Sequence, residues 1–204
     1  MATKTEDRLA GRLLIAAAAA SVLAMAHHPA SAHEAGPGAL VHGAMIALLG
    51  AMAFGLAYFA LRRGLARPAV LAGLVAYGLS LVFHAWAATI NGFVVPALAA
   101  RGAAVGHDIL LFAWEANQAM ARLGVYATGT AFILWSIDLL RRGRDGTARA
   151  IGFAGLAAGA VPAAMLAAGE IAMDLAGALA VYAAHAAWTA LIGLYLMRTA
   201  AAEG

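Results

Sequence analysis

Two histidines, His84 and His185, lie inside long apolar stretches, where ionisable side chains are costly and usually mark a functional site. Glu115 lies in a third apolar stretch. Neutral imidazole binds zinc, copper, iron and nickel, and a carboxylate can complete such a ligand set. We therefore predict a transition-metal site for Cu, Zn or Fe at His84, His185 and Glu115, with His42 and His107 as outer or entry ligands.

The same two histidines suit haem b as an alternative cofactor. Two axial histidines can hold a haem from opposite faces, and small residues such as Ala87 and Ala184 flank His84 and His185, which leaves room for a flat ring. The sequence contains no His-Glu-x-x-His, Cys-x-x-Cys-His or His-x-x-His motif. Both cofactor hypotheses therefore rest on the placement of the side chains alone.

Histidine and methionine also occur together near the N-terminus. His42, Met45 and Met52 lie roughly on one face of the first long apolar stretch, and this combination suits copper. Methionine in an apolar helix is more often a packing residue. A terminal histidine can also chelate copper, and cleavage of a signal peptide after Ala32 would leave His33 as the new N-terminus.

The composition of the chain identifies the environment of these residues. Hydrophobic residues make up 64% of the 204 residues and charged residues only 11%, whereas soluble domains average about 25% charged residues. A chain with so few charges suits a lipid bilayer. Cysteine is absent, which excludes disulfides and thiolate ligands. The sequence has no lysine-rich patch with interleaved aromatic residues, so we expect no nucleic-acid partner. The expected partners are the lipid bilayer and other membrane subunits.

The apolar stretches predict an all-α integral membrane protein. Lys4, Arg8 and Arg12 precede a short apolar run and an Ala-x-Ala site, so we expect residues 1–32 to form a cleaved signal peptide. Residues 33–204 then form a single domain of five membrane helices, or six helices if the signal is retained. The predicted spans are residues 39–61, 68–89, 107–140, 150–168 and 174–197. We expect Asn91-Gly92 and Pro96 to break the second of them.

The basic residues predict the orientation. Lys and Arg collect on the cytoplasmic side of membrane proteins. Eleven of the 13 fall on one side of the predicted topology, and only Arg101 and Arg122 do not. We therefore expect a bacterial inner-membrane protein with a periplasmic mature N-terminus and a cytoplasmic C-terminus.

Helical spacing places polar residues on shared faces near the periplasmic side. The third span carries Glu115, Gln118 and Arg122 at such spacing. His84 shares a face of the second span with Asn91, and His185 lies on the fifth span. Because polar stripes avoid lipid, they predict a polar cavity that opens towards the periplasm. A structural ion pair between Glu115 and Arg122 is the alternative explanation for these two charges.

Two other classes of function stay open. The same side chains would suit a transporter or proton-relay subunit, although the predicted cytoplasmic half offers few polar residues for a path across the membrane. A non-catalytic assembly or accessory protein would use the polar stripes only for hydrogen bonds between helices. No Gly-x-Ser-x-Gly motif is present. The sequence therefore predicts no catalytic residue and leaves enzymatic activity open.

Overall fold

The computed structural model describes residues 3–28, 35–143 and 145–202. These residues are almost entirely helical, no β-strand occurs among them, and six helices are long and apolar enough to cross a membrane. The prediction of an all-α membrane bundle is therefore confirmed. The helices are α1 (Lys4–Ala26), α2 (Ala35–Arg63), α3 (Pro68–Thr89), the short α4 (Val95–Ala99), α5 (His107–Arg142), α6 (Gly146–Ala168) and α7 (Leu175–Ala202).

Five of the six long helices correspond to the predicted spans, and the sixth is α1. This helix lies in the segment that we predicted to be a cleaved signal peptide, and its cleavage stays a prediction. The helix begins with a capping box, in which the Thr3 hydroxyl accepts from the Glu6 backbone N–H (3.3 Å) and the Glu6 carboxylate accepts from the Thr3 N–H (2.6 Å). Two backbone donors at the helix start are thereby satisfied.

Helix α3 ends at Thr89, as predicted, but a helical turn of another type follows it. The chain does not leave the helix at Asn91-Gly92 but continues through one π-helical turn, Ile90–Val94, into α4. Pro96 is accommodated because it lies in the first turn of α4, where a missing N–H costs little. Single π-helical turns are frequent at functional sites, and this one carries Asn91.

Small residues allow the helices to pack closely. Helix α1 packs mainly against α7 and α2, α3 packs against α5, and α5 packs against α6. A methyl group on Gly11 would lie 2.5 Å from the carbonyl oxygen of Gly193, so α1 and α7 approach backbone to backbone. Gly129 and Gly159 make the same approach between α5 and α6. Such contacts are the usual means by which membrane helices associate.

An aromatic core fills the half of the bundle that contains the predicted arginine loops. The rings of Trp135 and Trp188 stack with centroids 6.2 Å apart and planes 11° apart. Each indole N–H donates to a backbone carbonyl, Trp135 to Val70 (3.1 Å) and Trp188 to Ile151 (3.0 Å). Phe132 packs against both rings. This half is therefore closed by large side chains whose polar atoms already have partners.

Candidate functional site

The arginine end, defined as Arg62, Arg63, Arg67 and Arg142 with Asp7 and Asp138, holds four ion pairs. The buried Asp138 carboxylate accepts from Arg63 Nε (2.8 Å) and from Arg67 Nη1 (3.3 Å). A carboxylate that is 4% exposed would be costly without such partners. These groups satisfy one another, so this end of the bundle is tied together by charge.

The opposite end of the bundle contains a cavity of about 420 Å³, here called the histidine pocket. Its volume falls within the range of small-molecule and cofactor sites, which is about 300–1,000 Å³. The C-terminal end of α1, the N-terminal halves of α2, α5 and α7 and the end of α3 surround it. Its polar and sulfur-containing lining residues are Met25, His28, His42, Met45, His84, Asn91, Trp114, Asn117, Gln118, Met173, Asp174 and Tyr182.

Two histidines face one another across a wall of this pocket. The Nε2 atoms of His28 and His42 are 3.0 Å apart. The Asn91 side-chain nitrogen lies 3.3 Å from Nε2 of His28 and 3.4 Å from Nε2 of His42. Three polar side chains, from the residues just after α1, from α2 and from the π-helical turn, therefore converge on one point.

A hydrogen bond to the backbone fixes the ring orientation of His42. Its Nδ1 lies 2.7 Å from the carbonyl oxygen of Gly38. Because a carbonyl only accepts hydrogen bonds, Nδ1 carries the proton and Nε2 of neutral His42 has a free lone pair. Metal-binding histidines almost always show this arrangement, with one ring nitrogen donating to an oxygen and the other available to the metal.

Gly92 in the π-helical turn makes room for the His42 side chain. A methyl group at Gly92 would lie 2.5 Å from Cβ and 2.7 Å from Cγ of His42. Only a residue without a side chain permits this approach between α2 and the turn. Because Asn91 is the adjacent residue, the turn positions both the amide and the space that the histidine pair needs.

Buried amides brace another wall of the pocket. Asn117 donates from Nδ2 to the carbonyl of Ala87 (2.7 Å), which ties α5 to α3. Gln118 donates from Nε2 to the carbonyl of Met173 (3.2 Å), which ties α5 to the segment before α7. Both side chains are 7% exposed. Their bonds fix the relative positions of three elements around the pocket.

His84 and His185 meet at a second, much smaller cavity. This inner cavity of about 30 Å³ is lined by both histidines together with Ser80, Thr128 and other side chains. His84 also lines the histidine pocket, so it lies between the two spaces. Nε2 of His84 lies 3.4 Å from the Thr128 hydroxyl, and Nε2 of His185 is buried with no hydrogen-bond partner among the described atoms.

The inner cavity does not fit the haem that we predicted between these histidines. About 30 Å³ admits one or two water molecules. The His185 ring packs edge-on against Phe132 with centroids 5.2 Å apart, and the His84 ring lies 5.8 Å from that of Tyr182. The space where the two histidines meet is therefore bordered by the rings of Phe132 and Tyr182 and is far smaller than a haem.

The other predicted ligands lie apart from this pair. Glu115 and His107 are exposed on α5 and line neither cavity, whereas His42 lines the histidine pocket. Among residues 3–28, 35–143 and 145–202, no three His, Asp or Glu side chains are arranged to hold a metal ion. The five predicted ligands therefore do not form one centre in this structure.

Only part of the predicted polar stripe of α5 is buried inside the bundle. Gln118 is buried, but Glu115 and Arg122 are exposed, and the described ion pairs include none between these two. A spacing of seven residues keeps Glu115 and Arg122 on one face, whereas Gln118 is rotated from Glu115 by about 60° and Asn117 by about 160°. The bundle covers the side of α5 that carries Asn117 and Gln118.

Sequence reasoning missed His28, Met25 and Met173 as residues of the site. His28 and Met25 lie in the segment that we predicted to be removed, so they were not considered together with His42. The signal that could have found them is the adjacent His27-His28 pair at the end of the first apolar run. Comparisons with known protein families, with curated proteins and with solved structures find no match to this chain.

Proposed function

We propose that this membrane protein binds a transition-metal ion in the histidine pocket through Nε2 of His28 and Nε2 of His42. The observation that carries the proposal is the 3.0 Å approach of these two nitrogens at the wall of a cavity of about 420 Å³. Two imidazole nitrogens bound to one ion at about 2.0–2.1 Å in tetrahedral geometry lie about 3.3 Å apart. The pair is therefore close to the separation that a shared metal ion requires.

The surroundings of the pair support this function. His42 is held by the Gly38 carbonyl in the tautomer that leaves Nε2 available. Without an ion, one Nε2–H must donate to the other, and His28 is then the donor. A metal ion can occupy this position when the His28 ring takes the tautomer that carries its proton on Nδ1.

The position of the arginine end supports an assignment of the side of the membrane that the pocket faces. The histidine pocket lies at the other end of the helices, and arginine-rich loops face the cytoplasm. We therefore propose that the pocket faces the periplasm of a bacterial inner membrane. A reporter enzyme fused after Arg144 is expected to be active on the cytoplasmic side, and periplasmic activity of this fusion would reverse the assignment.

The metal proposal is tested on the full chain purified in mild detergent. We expect about one equivalent of bound metal after incubation with Cu, Zn or Ni, measured by elemental analysis after desalting. His28→Ala and His42→Ala should each lower affinity by about 10-fold or more, because each removes a ligand. His107→Ala is the matched control, since His107 is exposed and lies outside the pocket. Equal metal binding in His42→Ala and wild type would refute the proposal.

One observation favours a proton relay as a second candidate function. His84 lines both the histidine pocket and the inner cavity. A proton could therefore pass through His84 from the pocket towards the middle of the bundle. Beyond His185 the path meets Phe132, Trp135 and Trp188. Proton flux into liposomes that is lost in His185→Phe would support this candidate, and flux that does not depend on His185 would not.

A further inference from the structure

Three methionine side chains line the same pocket as the histidine pair. Met25 comes from the end of α1, Met45 from α2 and Met173 from the segment before α7. They are only 5%, 5% and 8% exposed, and they belong to one packed cluster. Three thioether side chains from three parts of the chain therefore line the same pocket as the two imidazoles.

The histidine and methionine donors of the pocket are neutral, and the thioethers are soft. Thioethers and imidazoles suit Cu(I), whereas carboxylates and water suit harder ions. The carboxylate of Asp174 also lines the pocket, but its Oδ1 already accepts from the Gly177 N–H (2.8 Å) at the start of α7. Zinc sites are normally completed by cysteine, histidine or carboxylate ligands, whereas the described lining adds three thioethers to the two imidazoles.

The charge of the ion matters where its ligands are neutral imidazoles and thioethers. The Born cost of transferring an ion from water into a medium of low dielectric constant rises with the square of its charge, so a divalent ion costs about four times as much as a monovalent ion of the same size. Neutral histidine and methionine ligands offset none of that charge. The site therefore favours a monovalent soft ion.

We propose that the ion is Cu(I), an inference that rests on the proposed function. His28 and His42 hold the ion together with thioether sulfur from Met25, Met45 or Met173. The methionines are then ligands and not only packing residues. Cu(I) accepts low coordination numbers, so two imidazoles and one or two thioethers complete its shell. The histidine pocket is a copper site that opens away from the arginine end.

The test compares metals and variants on the full chain in detergent under reducing, oxygen-free conditions. Cu(I) affinity is measured by competition with a chromogenic chelator, and X-ray absorption reports sulfur in the ligand shell. We expect Met25→Leu/Met45→Leu/Met173→Leu to weaken Cu(I) binding by about 10-fold or more and to remove the sulfur signal, because thioether ligands are lost. Leucine conserves the apolar volume approximately.

Met52→Leu is the matched control, because Met52 is 7% exposed on the same helix as Met45 but lines only the inner cavity. Zn(II) bound more tightly than Cu(I), or a shell of nitrogen and oxygen only that the methionine variants leave unchanged, would overturn the copper inference and leave the metal-binding function intact. Metal binding that does not depend on His28 and His42 would instead refute the proposed function itself.

A different observation supports a second inference, which concerns α1. Asp7 near its start is 1% exposed, and its carboxylate accepts from the Tyr58 hydroxyl (2.7 Å) and from Arg62 Nη2 (2.9 Å). Asp7 therefore ties α1 to α2 at one end, while the Gly11 and Gly193 backbones tie it to α7. Secretory signals need only a basic start, an apolar run and a cleavage site. A buried acid paired with a later helix is not part of that pattern.

We infer that α1 stays in the mature protein as a sixth membrane helix, which supplies Met25 to the pocket and holds the following residue His28 there. The test is the intact mass of the chain, purified from membranes through a C-terminal tag. A mass that includes residues 1–32 is expected. A mass that corresponds to residues 33–204 would overturn this inference and would also remove two of the proposed copper ligands.

Discussion

The two ends of the bundle both contain clusters of polar side chains but use them differently. At the arginine end, Asp7 and Asp138 are buried and accept from arginines within about 3.4 Å. At the other end, histidines, amides and thioethers surround a cavity of about 420 Å³. Mutual satisfaction of charges is typical of a structural cluster, whereas donors around an open volume are typical of a binding site. The comparison therefore separates polar residues that hold the fold from those that are available to a ligand.

The largest expected effect is on stability at the arginine end. Asp138→Ala should destabilise the protein by about 3–5 kcal/mol, because removal of one partner leaves buried charge uncompensated. The partial exposure of Arg67 (35%) places the effect at the lower part of that range. The measurement is thermal or denaturant-induced unfolding in detergent. The metal stoichiometry of the folded fraction should not change, and a loss of metal affinity by that fraction would show that the two ends are coupled.

The next largest effect is expected on metal affinity, from a substitution in the π-helical turn. Gly92→Ala places a methyl group 2.5 Å from Cβ of His42, so His42 must leave the position in which its Nε2 lies 3.0 Å from that of His28. We expect metal affinity to fall by about 10-fold or more, since positioning groups have effects of this size. Metal titration provides the measurement. Gly50→Ala is the control, because no atom lies within 4 Å of the corresponding position at Gly50.

A smaller effect is expected at the inner cavity. His185→Phe replaces a ring whose buried Nε2 has no described partner. We expect the unfolding free energy to change by about 1 kcal/mol or less, because an apolar ring of similar shape removes an unsatisfied polar group. Metal content should be unchanged. If this variant lost its metal, the originally predicted centre at His84 and His185 would replace the His28–His42 site.

The smallest effect is expected on the exposed face of α5. Glu115→Ala and Arg122→Ala should each change stability by less than about 0.5 kcal/mol, as surface substitutions without specific contacts usually do. Metal affinity should equal that of the wild type in both. Unfolding and metal titration test this together, and a marked loss in either variant would show that this face has a partner or a ligand of its own.

The sequence determined most of the architecture. Apolar stretches of membrane-spanning length and few charges were sufficient to predict an all-α bundle, because the bilayer imposes helix length and hydrophobicity locally. Pro68 was correctly expected at the start of a helix, since its fixed backbone angle and missing N–H suit the first turn. The turn at Asn91-Gly92 was predicted as a break because sequence propensity does not distinguish a break from a π-helical turn.

Only the tertiary structure decided which polar residues share a site. Helical spacing placed Glu115 and Gln118 near each other on α5, but packing buried Gln118 and left Glu115 exposed. His28 was predicted to lie in the cleaved signal peptide and His42 in the mature domain, 14 residues further along the chain. Their Nε2 atoms nevertheless lie 3.0 Å apart. Periodicity fixes the direction of a side chain relative to its own helix. The rotation of each helix against its neighbours depends on close contacts such as Gly11 with Gly193 and Gly92 with His42, and a single sequence does not reveal which residues form them.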